Sequence, residues 1–298
     1  MTLILSVLEQ GFIYGVMALG VYITYKILDF PDLTVDGSFP MGAAIGAVMI
    51  TNGIHPILTL FASFTAGAFA GILTGIIHVK CKVRDLLSGI IMMTALYTIN
   101  LRITGKANVP LYHKVTVFEN KVTESFLGGV LTPVRTLLVI LVITIGVKYL
   151  LDWYLSTHSG YLLRAVGDND TFVTSMGVEK GRVKIIGLAI ANGLVALGGC
   201  LFAQQQRFFD ISMGTGTVVI GLASVIIGTS LLKKVTLLRI TTSVIVGSVF
   251  YKACVALALR YMKVIHLQSK DLKLVTSVLF LVILIAAQER KKKVKINA

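Results

Sequence analysis

The sequence predicts an all-α, polytopic integral membrane bundle of about eight to ten transmembrane helices. Three observations carry that expectation. Of 298 residues, 55% are hydrophobic and only 14% charged, whereas a soluble chain of this length carries about 25% charged residues on its surface. The apolar residues fall in runs of roughly 20, the length of helix needed to cross a hydrocarbon core of about 30 Å. The runs are continuous rather than alternating, which excludes a transmembrane β-barrel. No stretch is left over for a separate soluble unit, so 1–298 reads as one transmembrane domain.

The first run, 2–27, lacks the basic start of a signal peptide and is too long for one, so it reads as a permanent helix. The second, 40–51, is short unless 33–39 is added to it. It opens with LDFPDLTVDGSFP, which places Asp29, Asp32 and Asp36 among Pro31 and Pro40. Each proline removes a backbone donor, and non-helical backbone at membrane depth is tolerated only inside protein or along a cavity. A broken or re-entrant passage is therefore expected near 33–41, with Asp36 and Ser38 as translocation-pathway candidates. Asp29 and Asp32 are expected in water, in a turn between the first two spans.

Further spans are expected at 57–79, 86–103, 136–154, 183–204, 217–232, 237–259 and 272–287. With nine spans and the basic tail inside, the N-terminus lies outside. Seventeen of the 28 Lys and Arg then fall inside, ten outside, and Lys252 within a span. That bias follows the positive-inside rule. The net charge of +14 thus reflects topology and anionic lipid; no basic patch interleaves with aromatics, so nucleic acid is not an expected partner.

Polar residues inside spans are costly in lipid and should face protein or water. Asn100 and Arg102, at the outer end of the fourth span, either snorkel or, for Asn100, line the pathway. Asn192 lies mid-span in AIANGLVALGG, placed for an interhelical hydrogen bond or for the pathway. Lys252 needs a partner, for which an acid such as Asp36 is one choice, a wet cavity or a lowered pKa, and it joins the pathway candidates. Gln204, Gln205, Gln206 and Arg207 meet an outer partner or mark the interface. Gly67, Gly71, Gly75, Gly193, Gly198 and Gly199 allow close helix contact.

Two connections are long. The outer one, about 106–133, reads as a loop with a little structure of its own. The inner one, about 158–184, contains GDNDTFVTSMG. There Asp168, Asn169 and Asp170 offer N-capping side chains, Phe172, Val173 and Met176 share a helical face, and Gly177 can close the helix in a left-handed conformation. A short amphipathic helix follows, either docking a cytosolic partner or lying on the membrane. The latter use favours a Lys/Arg-rich polar face, which is missing here.

No catalytic or metal constellation is present in the sequence. Cys81, Cys200 and Cys254 form no CxxC, and His55, His78, His113, His158 and His266 form no HExxH. No cofactor is expected, and the string Gly105–Lys106–Ala107 lacks the other residues of a phosphate-cradling loop.

RAVGDNDTFVTSMGV resembles the cytoplasmic coupling region of bacterial ATP-binding-cassette importer permeases of the branched-chain amino acid and ribose type. The resemblance extends to GFIYGVMALGVYITYKILDFPDLTVDGSFPMGA, TALYTINLRITGKANVPL and SKDLKLVTSVLFLVILI, in order along nearly the whole chain. FPDLTVDGSFPMGA and IMMTALYTINLRITGKANVP are most similar to the subfamily linked to aromatic amino acid uptake. The resemblance implies a multi-pass homodimer in the bacterial plasma membrane with a cytoplasmic C-terminus. It implies two cytosolic ATPase subunits, an extracytoplasmic binding protein that delivers an amino acid, and no enzymatic activity in this chain. Asp168, Asp170, Phe172, Val173, Met176 and Gly177 would form the ATPase-coupling helix. A nucleoside, sugar or peptide-like solute is the alternative cargo. An ion-coupled transporter would need more midplane carboxylates than Asp36 supplies, and a membrane enzyme lacks a candidate site.

Overall fold

The computed structural model describes residues 2–120, 134–232 and 239–262, together with 123, 276–278, 281 and 285. Among these, seven helices are long and apolar enough to cross a membrane, and an eighth apolar helix is shorter. The chain is a multi-pass membrane protein. The ninth expected span, 272–287, lies mostly outside the described residues.

Helix α1 (Thr2–Tyr22) continues into a π-helical turn, Ile23–Ile27. Helix α2 spans Val35–Thr51, α3 Pro56–Val79 and α4 Asp85–Thr104. A short strand β1 (Asn108–Pro110) precedes α5 (Arg135–Leu155). Two short helices follow, α6 (His158–Asp168) and α7 (Asp170–Ser175), before the 27-residue α8 (Lys180–Gln206). Strand β2 (Phe208–Asp210), a 3₁₀ turn (Ile211–Gly214), α9 (Thr217–Leu231) and α10 (Ile240–Met262) complete the described chain.

Helix α8 is the axis of the molecule. It is buried along most of its length and packs against α1, α2 and α3, while α10 closes against α1 and α9. The packing is close because glycines face backbone. A Cβ on Gly42 of α2 would stand 1.8 Å from the Ala196 carbonyl, and one on Gly199 would stand 1.9 Å from that of Phe39. Gly67, Gly71 and Gly75 of α3 meet α8 in the same way, as the small-residue pattern leads one to expect. The outward faces are apolar: Phe61, Phe69, Val142 and Leu150 are exposed, as suits contact with acyl chains.

Strands β1 and β2 pair antiparallel, Asn108 opposite Asp210, and join the ends of α4 and α8. The long 106–133 connection thus has a little structure of its own, as expected: a strand of a two-stranded ribbon. The expected break is displaced. Residues 28–34 are not helical, but from Val35 the chain is helical through Pro40 to Thr51. The interruption precedes 33–41 for the most part, and Pro40 is accommodated within a continuous helix.

Candidate functional site

Two polar regions stand out. The first is a seam between α2, α3 and α8. Ser38 Oγ donates to Asn192 Oδ1 (2.7 Å), and Asn192 Nδ2 donates to Asp32 Oδ2 (2.8 Å) and to the Leu188 carbonyl (3.1 Å). The Thr34 amide donates to Asp32 Oδ1 (2.8 Å), and the Thr34 and Thr74 hydroxyls are 3.0 Å apart. All five residues are buried. Asp32 therefore does not sit in water as expected; its carboxylate organises the entry to α2. Asp29 is exposed, as expected, and adopts a left-handed backbone conformation (φ 50°).

Asp36 makes a different set of bonds. Its Oδ1 accepts from the Thr217 hydroxyl (2.8 Å) and the Val218 amide (2.8 Å), and its Oδ2 from the Gly216 amide (3.1 Å). These are the first groups of α9, whose N-cap is Gly216 (φ 85°) and supplies no side chain. Asp36 is thus an N-cap delivered from another helix, with its negative charge at the positive end of α9. The backbone repeats the junction. Pro40 cannot donate to the Asp36 carbonyl, and that carbonyl faces Gly214, where a Cβ would stand 2.0 Å away. The proline and the acid that interrupt the apolar run together join α2 to the start of α9.

The other pathway candidates are distributed. Asn100 is fully buried rather than snorkelling; its Nδ2 donates to the Gly37 carbonyl (3.1 Å), and its Oδ1 has no partner among the described residues. Lys252 does not pair with Asp36. Its Nζ lies 3.7 Å from the centre of the Tyr14 ring, and it forms no ion pair with a described acid. A cation–π contact takes the place of that carboxylate, because Asp36 is engaged by α9. Gln204 is also internal: it accepts from the Val117 amide (2.9 Å) and donates to the Thr59 hydroxyl (3.1 Å). Gln205 donates to Glu9 (3.0 Å), and Arg207 pairs with Glu119. These residues tie the outer connection to the bundle.

The second region is the pair α6–α7 at the opposite end from the β ribbon. The sequence reading expected one short helix near 170–176; the structure adds α6, capped by the Thr157 hydroxyl, which accepts from the Gly160 amide. Leu163 and Val166 of α6 are buried, and Leu163 reaches Gly187 of α8 and Leu28. Gly167 abuts the Ile27 carbonyl at the end of the π-turn, where a Cβ would stand 1.7 Å from oxygen. The pair is therefore seated on both α1 and α8.

Asp168 ends α6 rather than opening α7, Asn169 lies between them, and Asp170 is the first residue of α7. Phe172 lies in α7, though the placement of its side chain and that of Asp170 falls outside the described residues. Val173 is buried in the main core, whereas Met176, just past α7, is 67% exposed. The two do not share one outward face: Val173 anchors the pair and Met176 is presented outward. Gly177 has φ 78°, the left-handed exit expected of it.

Asp152 was missed. It is buried at the end of α5 and pairs with Lys148 (2.9 Å) and Arg239 (3.4 Å), while the Thr241 hydroxyl donates to it (2.6 Å). The i, i+4 spacing of Lys148 and Asp152 was the available signal.

The geometry is that of a polytopic membrane bundle with polar residues sealed inside and a short helix pair seated at one end. Comparison with known proteins makes this specific. A family profile described as "Branched-chain amino acid transport system / permease component" matches residues 3–287. The chain belongs to this family of transport permeases. A tyrosine transport system permease protein of Clostridioides difficile is 44% identical over 295 residues, covering 99% of this chain and 95% of that one. A ribose import permease of Escherichia coli K12 is 24% identical, covering 75% of this chain and 68% of its own. A probable branched-chain amino acid permease of Methanocaldococcus jannaschii is 27% identical, covering 72% and 70%. No solved structure matches.

Proposed function

We propose that this chain is the membrane subunit of an ATP-driven importer for an amino acid, with tyrosine or another aromatic amino acid as cargo. The observation that carries this reading is the 44% identity to a tyrosine transport permease along nearly the whole chain. In this reading the permease acts as a homodimer in the bacterial plasma membrane, with its C-terminus and α6–α7 in the cytosol. Two ATPase subunits dock there, and an extracytoplasmic binding protein delivers substrate at the other side. The chain itself catalyses no reaction; ATP is hydrolysed by its partner.

The α6–α7 pair supports the docking role mechanically. It rests on Ile27 of α1 and on α8 through Gly167 and Leu163, so force applied to it reaches two central helices. Phe172 and Met176 would be the anchors offered to the ATPase, with Gly177 releasing the chain toward α8; Asp168 and Asp170 flank the start of α7. Among the pathway candidates, Lys252 is the one whose charge is unmatched by a described acid, and its ammonium suits the carboxylate of an amino acid. Asp36, Ser38, Asn100 and Asn192 hold the surrounding helices in place.

The test is uptake into proteoliposomes containing the permease, its ATPase and its binding protein. ATP-dependent accumulation of labelled tyrosine, with ribose and leucine excluded, is expected. Accumulation of ribose instead would replace the cargo; uptake without ATPase would overturn the ATP-driven reading. Lys252→Met should lower uptake at least tenfold while insertion is normal, and unchanged uptake would remove Lys252 from the pathway.

A further inference from the structure

A cavity of about 460 Å³ opens at the α6–α7 end of the bundle. It lies between the π-turn of α1, the last turn of α5, α6 and the start of α10. Its apolar lining comes from Ile27, Leu155 and Ile240, and its cations are Lys26, Arg164 and Arg239. Two acids, Asp152 and Asp168, also line it. Asp152 is already engaged by Lys148 and Arg239. Lys26 and Arg164 are exposed and form no ion pair among the described residues.

Four cations, counting Lys148, thus face two carboxylates, which leaves a cationic surplus in a space open to ligand. Its depth in the membrane is marked independently. Trp153 and Tyr149, on the last turns of α5, are 69% and 63% exposed beside Asp152. Exposed Trp and Tyr at the end of a span occupy the headgroup level. Tyr161, which lines the cavity, is 59% exposed.

We propose that this cavity binds the phosphate of an anionic phospholipid headgroup, with Lys26, Arg164 and Arg239 as ligands and Ile27, Leu155 and Ile240 against the glycerol and upper acyl atoms. Basic openings between helices at the interface are suited to such headgroups. The site joins α1, α5, α6 and α10, so a bound lipid bridges the docking pair to the spans. The proposal uses only the membrane placement of the chain and is independent of its cargo.

The test is titration of the full-length, detergent-purified permease with phosphatidylglycerol, phosphatidylcholine or inorganic phosphate. Retained lipid is read by native mass spectrometry and the thermal midpoint by fluorescence. Phosphatidylglycerol should be retained and should raise the midpoint, whereas phosphatidylcholine should do neither. Lys26→Gln and Arg164→Gln should each weaken retention about fivefold, the effect of one interfacial cation. Lys80→Gln, at the same end but outside the cavity, should leave it unchanged. Equal retention by the two cavity variants and the parent, or equal retention of phosphatidylcholine, would overturn the proposal. Stabilisation by millimolar inorganic phosphate equal to that by phosphatidylglycerol would identify a soluble anion site and overturn the lipid assignment. Both substituted residues are exposed, so the variants should fold; a midpoint equal to the parent's in lipid-free detergent verifies that.

Discussion

The seam around α2 and the α6–α7 end use similar residues to opposite effect. In the seam, Asp32 and Asp36 accept hydrogen bonds from neighbouring backbone and side chains, and Ser38 and Asn192 satisfy one another. Among the described residues, both carboxylates of the seam have protein donors on each oxygen. At the α6–α7 end, Asp152 is partnered, but Lys26 and Arg164 line an open cavity without an ion pair among the described residues, and Met176 is exposed. Charge in a membrane protein is therefore ambiguous until its partners are known. A carboxylate in an apolar run can hold helices together as well as meet a solute, and Asp36 does hold α2 to the start of α9.

The comparison is broken most severely at the helix contacts that support the seam. Gly42→Ala places a methyl group against the Ala196 carbonyl and should cost about 3 kcal/mol, at the upper end of overpacking effects. Its thermal midpoint in detergent should fall by several degrees. Gly146→Ala, where no atom lies within 4 Å of the new Cβ, should be neutral or slightly stabilising. Asn192→Leu should have an effect of the same order. It removes the donor to Asp32 and the acceptor of Ser38 in a buried site, and each stranded polar group costs about 1–3 kcal/mol. The same midpoint measurement checks it, and an unchanged value would mean that water replaces the lost bonds.

Asp36→Asn should be milder, about 1 kcal/mol, because the amide oxygen can still accept from Thr217 and Val218 while the charge at the α9 terminus is lost. Hydrogen exchange in the first turn of α9 should quicken. Smallest in stability is Met176→Ala, an exposed residue, with an effect within about 0.5 kcal/mol. Its effect should appear only in ATPase affinity, weakened about tenfold as for an interface anchor.

Much of the bundle was legible in the sequence because spans announce themselves by local composition. The expected 57–79 and 217–232 agree with α3, Pro56–Val79, and α9, Thr217–Leu231, to within one residue. The small-residue stripe of α3 was legible for the same reason. The partners of the polar residues were not. Asp32 looks like a turn residue between prolines, and its burial depends on Asn192, 160 positions away. Asp36 finds its role 180 to 182 positions away, where a Gly N-cap leaves α9 without a cap of its own. Pro40 reads locally as a break, yet one lost donor is tolerable where Gly214 packs against the freed carbonyl. Helix α6 is not legible because it is only 11 residues long, too short to read as a span, and its place is set by seating on Ile27 and α8.

The central claim is that the seam holds the structure while the α6–α7 end works the transporter. Asp36→Ala and Met176→Ala, measured side by side in proteoliposomes for thermal midpoint and for substrate-stimulated ATP hydrolysis per folded permease, test it directly. The account predicts that Asp36→Ala lowers the midpoint with stimulation per folded molecule retained, and that Met176→Ala keeps the midpoint and loses most of the stimulation. A Met176→Ala permease with full stimulation, or an Asp36→Ala permease of unchanged midpoint that no longer responds to substrate, would contradict it.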